Sequence, residues 1–238
     1  MTVFLLKLIL AHLIGDFLLQ FRSWVQKKEE KKGASPILYI HVLIHGLLVL
    51  LLLGIEYWPL AALVTLGHLI IDLMKLYLQK PATKTLWFIG DQILHFALLI
   101  LLWYLWFSPE LSFAGMLESE LLLVYLIAVL FLTQPMAITL YVVMKPWSDL
   151  ISGHSDESLE NAGRSIGILE RLLVFSFIVL QQWEAVGFLL AAKSVFRFGD
   201  LRETQSRKLT EYILIGTLLS FGIAILVGAL VSNFYPLS

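Results

Sequence analysis

Four pairs of ionisable residues, each with a spacing of four positions, lie in otherwise apolar stretches of the N-terminal half. The pairs are His12 and Asp16, His41 and His45, His68 and Asp72, and Asp91 and His95. Residues four apart share one face of a helix, so each pair would form a short polar stripe. Imidazole and carboxylate groups are ligands for Zn²⁺, Mn²⁺ and Fe²⁺, and two histidines at i and i+4 chelate metals in known proteins. The pattern predicts a divalent metal site built from these eight residues.

The type of carboxylate bears on the identity of the metal. All three acidic residues of the set are aspartates, whereas ferritin-like di-iron bundles use Glu and Glu-x-x-His. We therefore expect hydrolytic chemistry, with zinc favoured over manganese or iron. Eight donors suffice for two four-coordinate sites, or for one site with surrounding residues that orient its ligands. The sequence leaves both arrangements open.

The aspartates Asp16, Asp72 and Asp91 are the candidate catalytic residues. A bound metal generates hydroxide from water at neutral pH, and an aspartate that does not bind the metal can act as the general base. Three neighbouring polar residues are expected to support the site, namely Gln20, Lys75 and Gln92. Lys75 would hold a phosphate near the headgroup level, or simply extend to the membrane interface.

Composition indicates the kind of protein that carries these residues. The chain has 238 residues, of which 59% are hydrophobic and 15% are charged, whereas soluble domains average about 45–50% and about 25%. A single soluble core of this size could not bury so much apolar surface, so we predict an all-α polytopic integral membrane protein. The net charge of −1 argues against nucleic acid as the partner, and the absence of cysteine excludes disulfides and thiolate ligands.

About seven hydrophobic segments are predicted along the chain. They cover residues 3–21, 37–53, 60–78, 85–107, 121–144, a hairpin of two short helices at 166–180 and 185–198, and 212–231. We divide the chain into a four-span bundle, 1–107, and a C-terminal membrane region, 108–238. Pro135 is expected to kink the fifth span. The mixed charges of residues 27–32 are expected to form a solvated loop.

The positive charges give the expected orientation. If the loop at 22–32 lies in the cytoplasm and the spans alternate, all of the 17 basic residues except Lys7 lie on the cytoplasmic side. The N-terminus would then lie outside. Counted from the cytoplasmic ends of the spans, one tier of the stripes lies ~6–9 Å deep and the other ~12–15 Å deep. The shallow tier is Asp16, His41, Asp72 and Asp91, and the deep tier is His12, His45, His68 and His95. Matching depths predict one cluster that opens toward the cytoplasm.

The C-terminal half carries a weaker signal. Lys193 and Arg197 lie four apart on one helix face and are candidates for binding an anionic lipid headgroup. The alternative, which we favour, is that both are cytoplasmic anchors that follow the positive-inside rule.

Several sequence stretches resemble an uncharacterised bacterial membrane family catalogued as domain of unknown function 3307. The stretches that carry the resemblance are AHLIGDFLLQ at 11–20, HxxxH at 41–45, GHLIIDLMK at 67–75 and DQILH at 91–95. The second half resembles the longer members of that family. The resemblance implies a protein of the bacterial inner membrane and supplies no activity. A more distant similarity, to membrane-bound metal-dependent hydrolases, slightly favours hydrolysis.

The expected function is that of a membrane-embedded metal-dependent hydrolase acting on a lipid or lipid-linked phosphate. The main alternative is a transporter that passes a divalent cation or protons through the same residues, and a further alternative is a scaffold in which the cluster is structural. The outer halves of the first four spans are almost wholly apolar, which favours the hydrolase over the transporter. Membrane lipids are the expected partners, and whether the chain forms a homodimer is left open.

Overall fold

A computed structural model describes residues 2–108, 121–148, 157–204 and 207–235, without the side chains of 157–162, 196–204, 207 and 209. The regular elements described are all helical. The helices are α1 (Thr2–Leu13), α2 (Arg22–Lys31), α3 (Pro36–Leu53), α4 (Trp58–Leu78), α5 (Lys84–Phe107), α6 (Leu121–Leu132), α7 (Gln134–Ser148), α8 (Glu157–Val179), α9 (Trp183–Thr204) and α10 (Arg207–Phe234). A π-helical segment, Ile14–Leu18, follows α1. The chain divides into two compact units, Met1–Ile127 and Ala128–Ser238.

Several helices are suited to a membrane. Within the described part of the chain, five are long and apolar enough to cross one, namely Pro36–Leu53, Ile55–Leu78, Pro81–Phe107, Leu121–Ser148 and Thr210–Phe234. Their outer surfaces carry large apolar side chains, such as Leu51 and Leu122, which are 79% and 81% exposed. Such exposure is costly in water but ordinary in lipid. For the described residues, the prediction of an all-helical chain with several helices long and apolar enough to span a membrane is therefore confirmed.

In the first unit, four helices are neighbours in a ring. Helix α1 packs against α3 and α5, and α4 packs against the same two helices.

The ends of these helices follow the local sequence. Pro36 begins α3, Pro81 follows the end of α4, and Ser108 ends α5 in the left-handed conformation with φ of 40°.

The first predicted span is not a continuous helix. The chain leaves α1 through the π-helical segment, in which the Leu19 N–H donates to the Ile14 carbonyl at 3.0 Å. It then turns by 85° into α2, so Thr2–Leu18 and Arg22–Ala34 meet the criterion for a membrane span only as a bent pair. The expectation of a solvated loop at residues 27–32 was wrong. Residues 27–31 belong to α2, and Lys28 is buried with 5% exposure.

The second unit contains a broken helix and a helical hairpin. The fifth predicted span is interrupted at Thr133, between α6 and α7, two residues before Pro135. This break agrees with the predicted kink, because proline has no N–H to continue the helix. The predicted hairpin corresponds to α8 and α9, which extend beyond the expected bounds and meet at Leu180–Gln182. Helix α8 packs against α10, and α7 packs against both.

Candidate metal centre

The structure brings the eight ionisable residues of the four stripes into one cluster, called here the His/Asp cluster. Its members are His12, Asp16, His41, His45, His68, Asp72, Asp91 and His95. None of these side chains is more than 8% exposed. Burying so many ionisable groups is costly unless each finds a partner or a ligand, so the contacts within the cluster decide what it can do.

Asp16 lies at the centre of the cluster. Its Oδ1 is 3.1 Å from Nε2 of His41, 3.2 Å from Nε2 of His45 and 3.4 Å from Nε2 of His68. Its Oδ2 is 3.7 Å from Nε2 of His12. Asp16 therefore faces histidines of both predicted tiers, and it does so from the π-helical segment, a feature that often marks functional sites.

Close backbone packing positions one of these histidines. The ring of His45 lies directly against Gly15, and a Cβ added at Gly15 would come within 2.4 Å of the ring. The ring of His45 also stacks on that of His68, with centroids 3.8 Å apart, and His68 stacks on His95 at 3.9 Å. Three imidazoles from α3, α4 and α5 are thus held in a row.

Two lysines each hold one oxygen of an aspartate. Lys75 Nζ donates to Oδ2 of Asp91 at 2.8 Å, and Lys28 Nζ donates to Oδ2 of Asp72 at 2.7 Å. Lys75 was a predicted site residue, but Lys28 was missed. Helical spacing could have indicated Lys28 as a site residue. It lies three positions after Val25 and four after Trp24, on the less exposed face of α2.

The two predicted glutamines contact the cluster. Gln20 Nε2 lies 2.8 Å from Nε2 of His41. Gln92 bridges two members: its Oε1 lies 3.2 Å from Nε2 of His12, and its Nε2 donates to Oδ2 of Asp16 at 2.9 Å. Both side chains lie where they can orient the groups they touch.

Three groups of residues in the cluster could hold a metal ion. They are His12, Asp16, His45 and His68; then His41, His68 and Asp72; then Asp16, Asp91 and His95. Within each group, one ligand atom from every residue lies within 4.8 Å of the others. Two ligands of one zinc ion lie at most about 4.4 Å apart, because each stands about 2.0–2.2 Å from it, so small side-chain movements would bring each group around one ion.

Comparison with known proteins places the chain in a family. Residues 4–124, about half of the chain, match the family model described as Protein of unknown function (DUF3307). The chain belongs to the DUF3307 family. The matched residues include the entire His/Asp cluster, and the resemblance inferred from the motifs is confirmed. No curated protein and no solved structure matches the chain.

An apolar layer lies beyond the cluster in the DUF3307 region. The buried members of this layer come from all four helices of the ring: Leu8, Ala11, Val49, Leu53, Leu60, Ala61, Val64, Leu99 and Trp103. A small cavity between the cluster and this layer is lined by His12, His68 and His95 and by apolar side chains such as Leu8 and Leu99. The polar groups of the cluster therefore do not continue through the layer.

The candidate residues of the second unit have their own partners. Lys193 donates to Oε2 of Glu170 at 2.5 Å, and its ammonium lies 5.4 Å from the centroid of the Phe221 ring. The side chain of Arg197 lies outside the described residues. Arg171 is a buried residue that the sequence did not single out as a site. It donates to the carbonyls of Leu132 and Thr133 and to the Ser220 hydroxyl.

Proposed function

We propose that this DUF3307 protein is a membrane-embedded, metal-dependent hydrolase that acts on a lipid or lipid-linked phosphate. The observation that carries the proposal is the donor set of His12, Asp16, His45 and His68, which lies buried with its ligand atoms within 4.8 Å of one another. Three imidazoles and one carboxylate suit zinc, with manganese and iron as the alternatives. A divalent ion bound there would supply a water molecule that ionises near neutral pH.

The charges of the cluster support a bound cation. The cluster contains three carboxylates, and among the residues that the structure describes two lysines, Lys28 and Lys75, contact it. With neutral histidines, one negative charge has no compensating ammonium. A buried charge without a partner is strongly unfavourable, and a bound divalent ion would compensate it.

The remaining aspartates suit the role of general base. Asp72 and Asp91 each have one oxygen held by a lysine and another directed toward histidines of the cluster. A carboxylate held in this way can accept a proton from water without leaving its place. Lys28 and Lys75 would also attract the anionic group of a phosphate ester.

The apolar layer argues against the transporter alternative. Transport of a cation or protons requires polar groups or water along the whole path. Beyond the cluster, the described residues of the ring instead pack Leu8, Val49, Leu60, Leu99 and their neighbours into a closed apolar core. On the side of the cluster away from this core lie the polar side chains of Lys28, Lys75 and Gln20. This arrangement favours a site that is reached from one side only.

The distribution of basic residues supports the placement of that opening. Under the positive-inside rule, the Lys- and Arg-rich ends of the spans face the cytoplasm, which places the N-terminus outside. We accordingly propose a multi-pass protein of the bacterial inner membrane, with the His/Asp cluster reached from the cytoplasmic side.

Elemental analysis tests the proposal directly. The protein is purified in detergent without chelators, as wild type and as His45→Ala/His68→Ala. We expect a divalent transition metal in the wild type and its loss in the double variant. No bound metal in the wild type would overturn the metal site. Cation flux in proteoliposomes without hydrolysis would favour the transporter.

A matched pair of variants separates ligand loss from unfolding. Asp16→Asn keeps the size of the central side chain, while Glu56→Gln makes the same chemical change at an exposed carboxylate. Asp16→Asn should lose metal and the release of phosphate from a phospholipid monoester, and Glu56→Gln should keep both. A structural scaffold would lose only thermal stability in Asp16→Asn.

A further inference from the structure

His95 differs from the other histidines of the cluster. It is 1% exposed, and neither of its ring nitrogens has a hydrogen-bond partner among the described residues. Oδ1 of Asp91 is also buried without a partner, and it lies 3.8 Å from Nδ1 of His95. Buried polar groups are nearly always paired, and a group left unpaired calls for a ligand or another explanation.

The position of Asp91 is fixed by its other oxygen. Oδ2 accepts hydrogen bonds from Lys75 Nζ at 2.8 Å and from Gln92 Nε2 at 3.3 Å. These contacts leave Oδ1 directed at His95. The carboxylate is thus held in place on one side and free on the other, as a metal ligand requires.

A structural explanation accounts for the arrangement less well. A histidine that only joins membrane helices would donate to a neighbour across the interface. A water molecule in the small cavity beside His95 could pair with one ring nitrogen. It would leave the other nitrogen unpaired, and Oδ1 of Asp91 is not among the groups that line the cavity.

Asp16 connects this pair to the first metal site. It belongs both to the group with His12, His45 and His68 and to the group with Asp91 and His95. Its Oδ1 faces His45, while its Oδ2 faces His12 and Gln92. One oxygen of Asp16 also lies within 4.8 Å of a ligand atom of Asp91 and of His95, so this carboxylate can be shared between the two sites of a two-metal centre.

We propose that Asp91, His95 and the shared Asp16 form a second divalent-cation site, so that the cluster holds two ions and acts on a phosphate ester. This inference rests on the proposed metal-dependent hydrolase, and it makes Asp91 a metal ligand, so that Asp72 is left as the general base. Two ions at a separation of about 3.5–4 Å stabilise both the attacking and the leaving oxygen of an in-line displacement. With three carboxylates, two ammoniums and two divalent ions, the site is positively charged and selects an anionic substrate.

The reaction expected of such a site is hydrolysis of the ester bond at phosphorus. The oxygen of a water molecule forms a new bond to phosphorus, and the bond from phosphorus to the ester oxygen breaks. The proton released by the water ends on the leaving alkoxide, so the products are inorganic phosphate and an alcohol. Water is the co-substrate, and the reaction needs no oxidant, reductant or other reactant.

Manganese titration of the full-length, metal-free protein in detergent tests the second site. We expect the wild type to bind about two Mn²⁺ ions per chain, with the electron paramagnetic resonance spectrum of a coupled pair. His95→Phe keeps a ring against His68 but removes both nitrogens, and Asp91→Asn weakens the carboxylate ligand. Each should bind about one ion and lose the coupled spectrum.

The control is Gly90→Ala, next to Asp91, where an added Cβ has nothing within 4 Å. It should bind as many ions as the wild type. One ion in the wild type, or two in His95→Phe, would overturn the second site and leave the single-metal hydrolase intact. No metal in the wild type would overturn the proposed function itself.

Binding of inorganic phosphate tests the substrate class. Phosphorus NMR of the manganese-loaded wild type should show broadening of the phosphate signal at a saturable site, and His95→Phe should reduce the affinity at least tenfold. The absence of saturable broadening in the wild type would overturn the phosphate assignment, and equal broadening in both proteins would overturn the role of the second site in binding phosphate. Phosphate release from phosphatidic acid in micelles but not from glycerol phosphate would identify a lipid source, and release from glycerol phosphate but not from phosphatidic acid would identify a soluble one.

Discussion

The two units of the chain both bury charge between apolar helices, but they treat it differently. In the second unit, the guanidinium of Arg171 uses Nε, Nη1 and Nη2 to donate to the carbonyls of Leu132 and Thr133 and to Ser220. In the first unit, His95 and one oxygen of Asp91 are equally buried and have no partner. A buried charge with hydrogen-bond partners is explained by structure alone, whereas buried polar atoms without partners call for a further explanation, which the proposed second ion supplies.

The break in the second unit explains its arginine. Where α6 ends at Leu132, before Pro135, the helix has carbonyls without helical N–H partners. Arg171 of α8 donates to the Leu132 carbonyl at 2.7 Å and, at 3.4 Å, to the Thr133 carbonyl, which also accepts from the Ala137 N–H at 3.0 Å. We therefore assign Arg171 a structural role. Its substitution should affect stability alone, whereas substitutions in the His/Asp cluster should also affect metal binding.

The largest effect is expected for Lys28→Met. Removing the ammonium leaves Asp72 buried without its ion pair, which costs about 3–5 kcal/mol of the free energy of unfolding. Added divalent metal should restore part of the loss, because it supplies the missing positive charge. Thermal unfolding in detergent, with and without metal, measures both effects. Lys27→Met, at an exposed neighbour in α2, should be nearly neutral, and equal losses in the two variants would contradict the role of Lys28.

Crowded glycines in the two units should give different outcomes. In Gly15→Ala the new Cβ would lie 2.4 Å from the His45 ring, and in Gly228→Ala it would lie 2.9 Å from Cβ of Ile178. Overpacking of this kind costs about 1–3 kcal/mol. Only Gly15→Ala should also lose metal, because it displaces a ligand. Elemental analysis of the purified variants measures the metal content, with Gly222→Ala as the uncrowded control. Metal loss in Gly228→Ala would contradict the expected difference between the two units.

A smaller effect is expected for Arg171→Met. The Leu132 carbonyl loses its side-chain donor and the Thr133 carbonyl keeps the Ala137 N–H, and polar contacts between membrane helices contribute at most about 1–2 kcal/mol. Unfolding should become easier while the metal content stays that of the wild type. A variant that folds normally but loses metal would show that Arg171 serves the cluster after all.

The smallest effect is expected for Glu29→Gln. Glu29 pairs with Lys84 at 2.7 Å, but the two side chains are 28% and 55% exposed. Exposed ion pairs contribute about 0–1 kcal/mol and weaken in salt. Unfolding at low and high salt should therefore differ from the wild type by less than for Lys28→Met, with Glu30→Gln as the exposed control. A loss as large as that of Lys28→Met would place Glu29 among the groups that hold the cluster together.

The helices and the members of the cluster were largely predictable. Hydropathy marks the apolar helices, and Pro36, Pro81 and Pro135 mark where helices begin, end or break, because these signals are local. The spacing of four places His68 beside Asp72 on one face of α4 wherever that helix packs. Local spacing could not reveal that Lys28 is buried, since its burial depends on the 85° turn that brings α2 against α3.

The sequence by itself determined that this is a helical protein with several helices apolar enough to span a membrane and with four polar stripes, because composition and helical periodicity follow from the order of residues alone. Only the tertiary structure decided which atoms of those stripes remain free. Lys75 and Gln92 occupy one oxygen of Asp91, and no neighbour reaches either nitrogen of His95. Such pairing depends on how each helix is rotated and how deep it lies against its neighbours, and no single stretch of sequence contains that information.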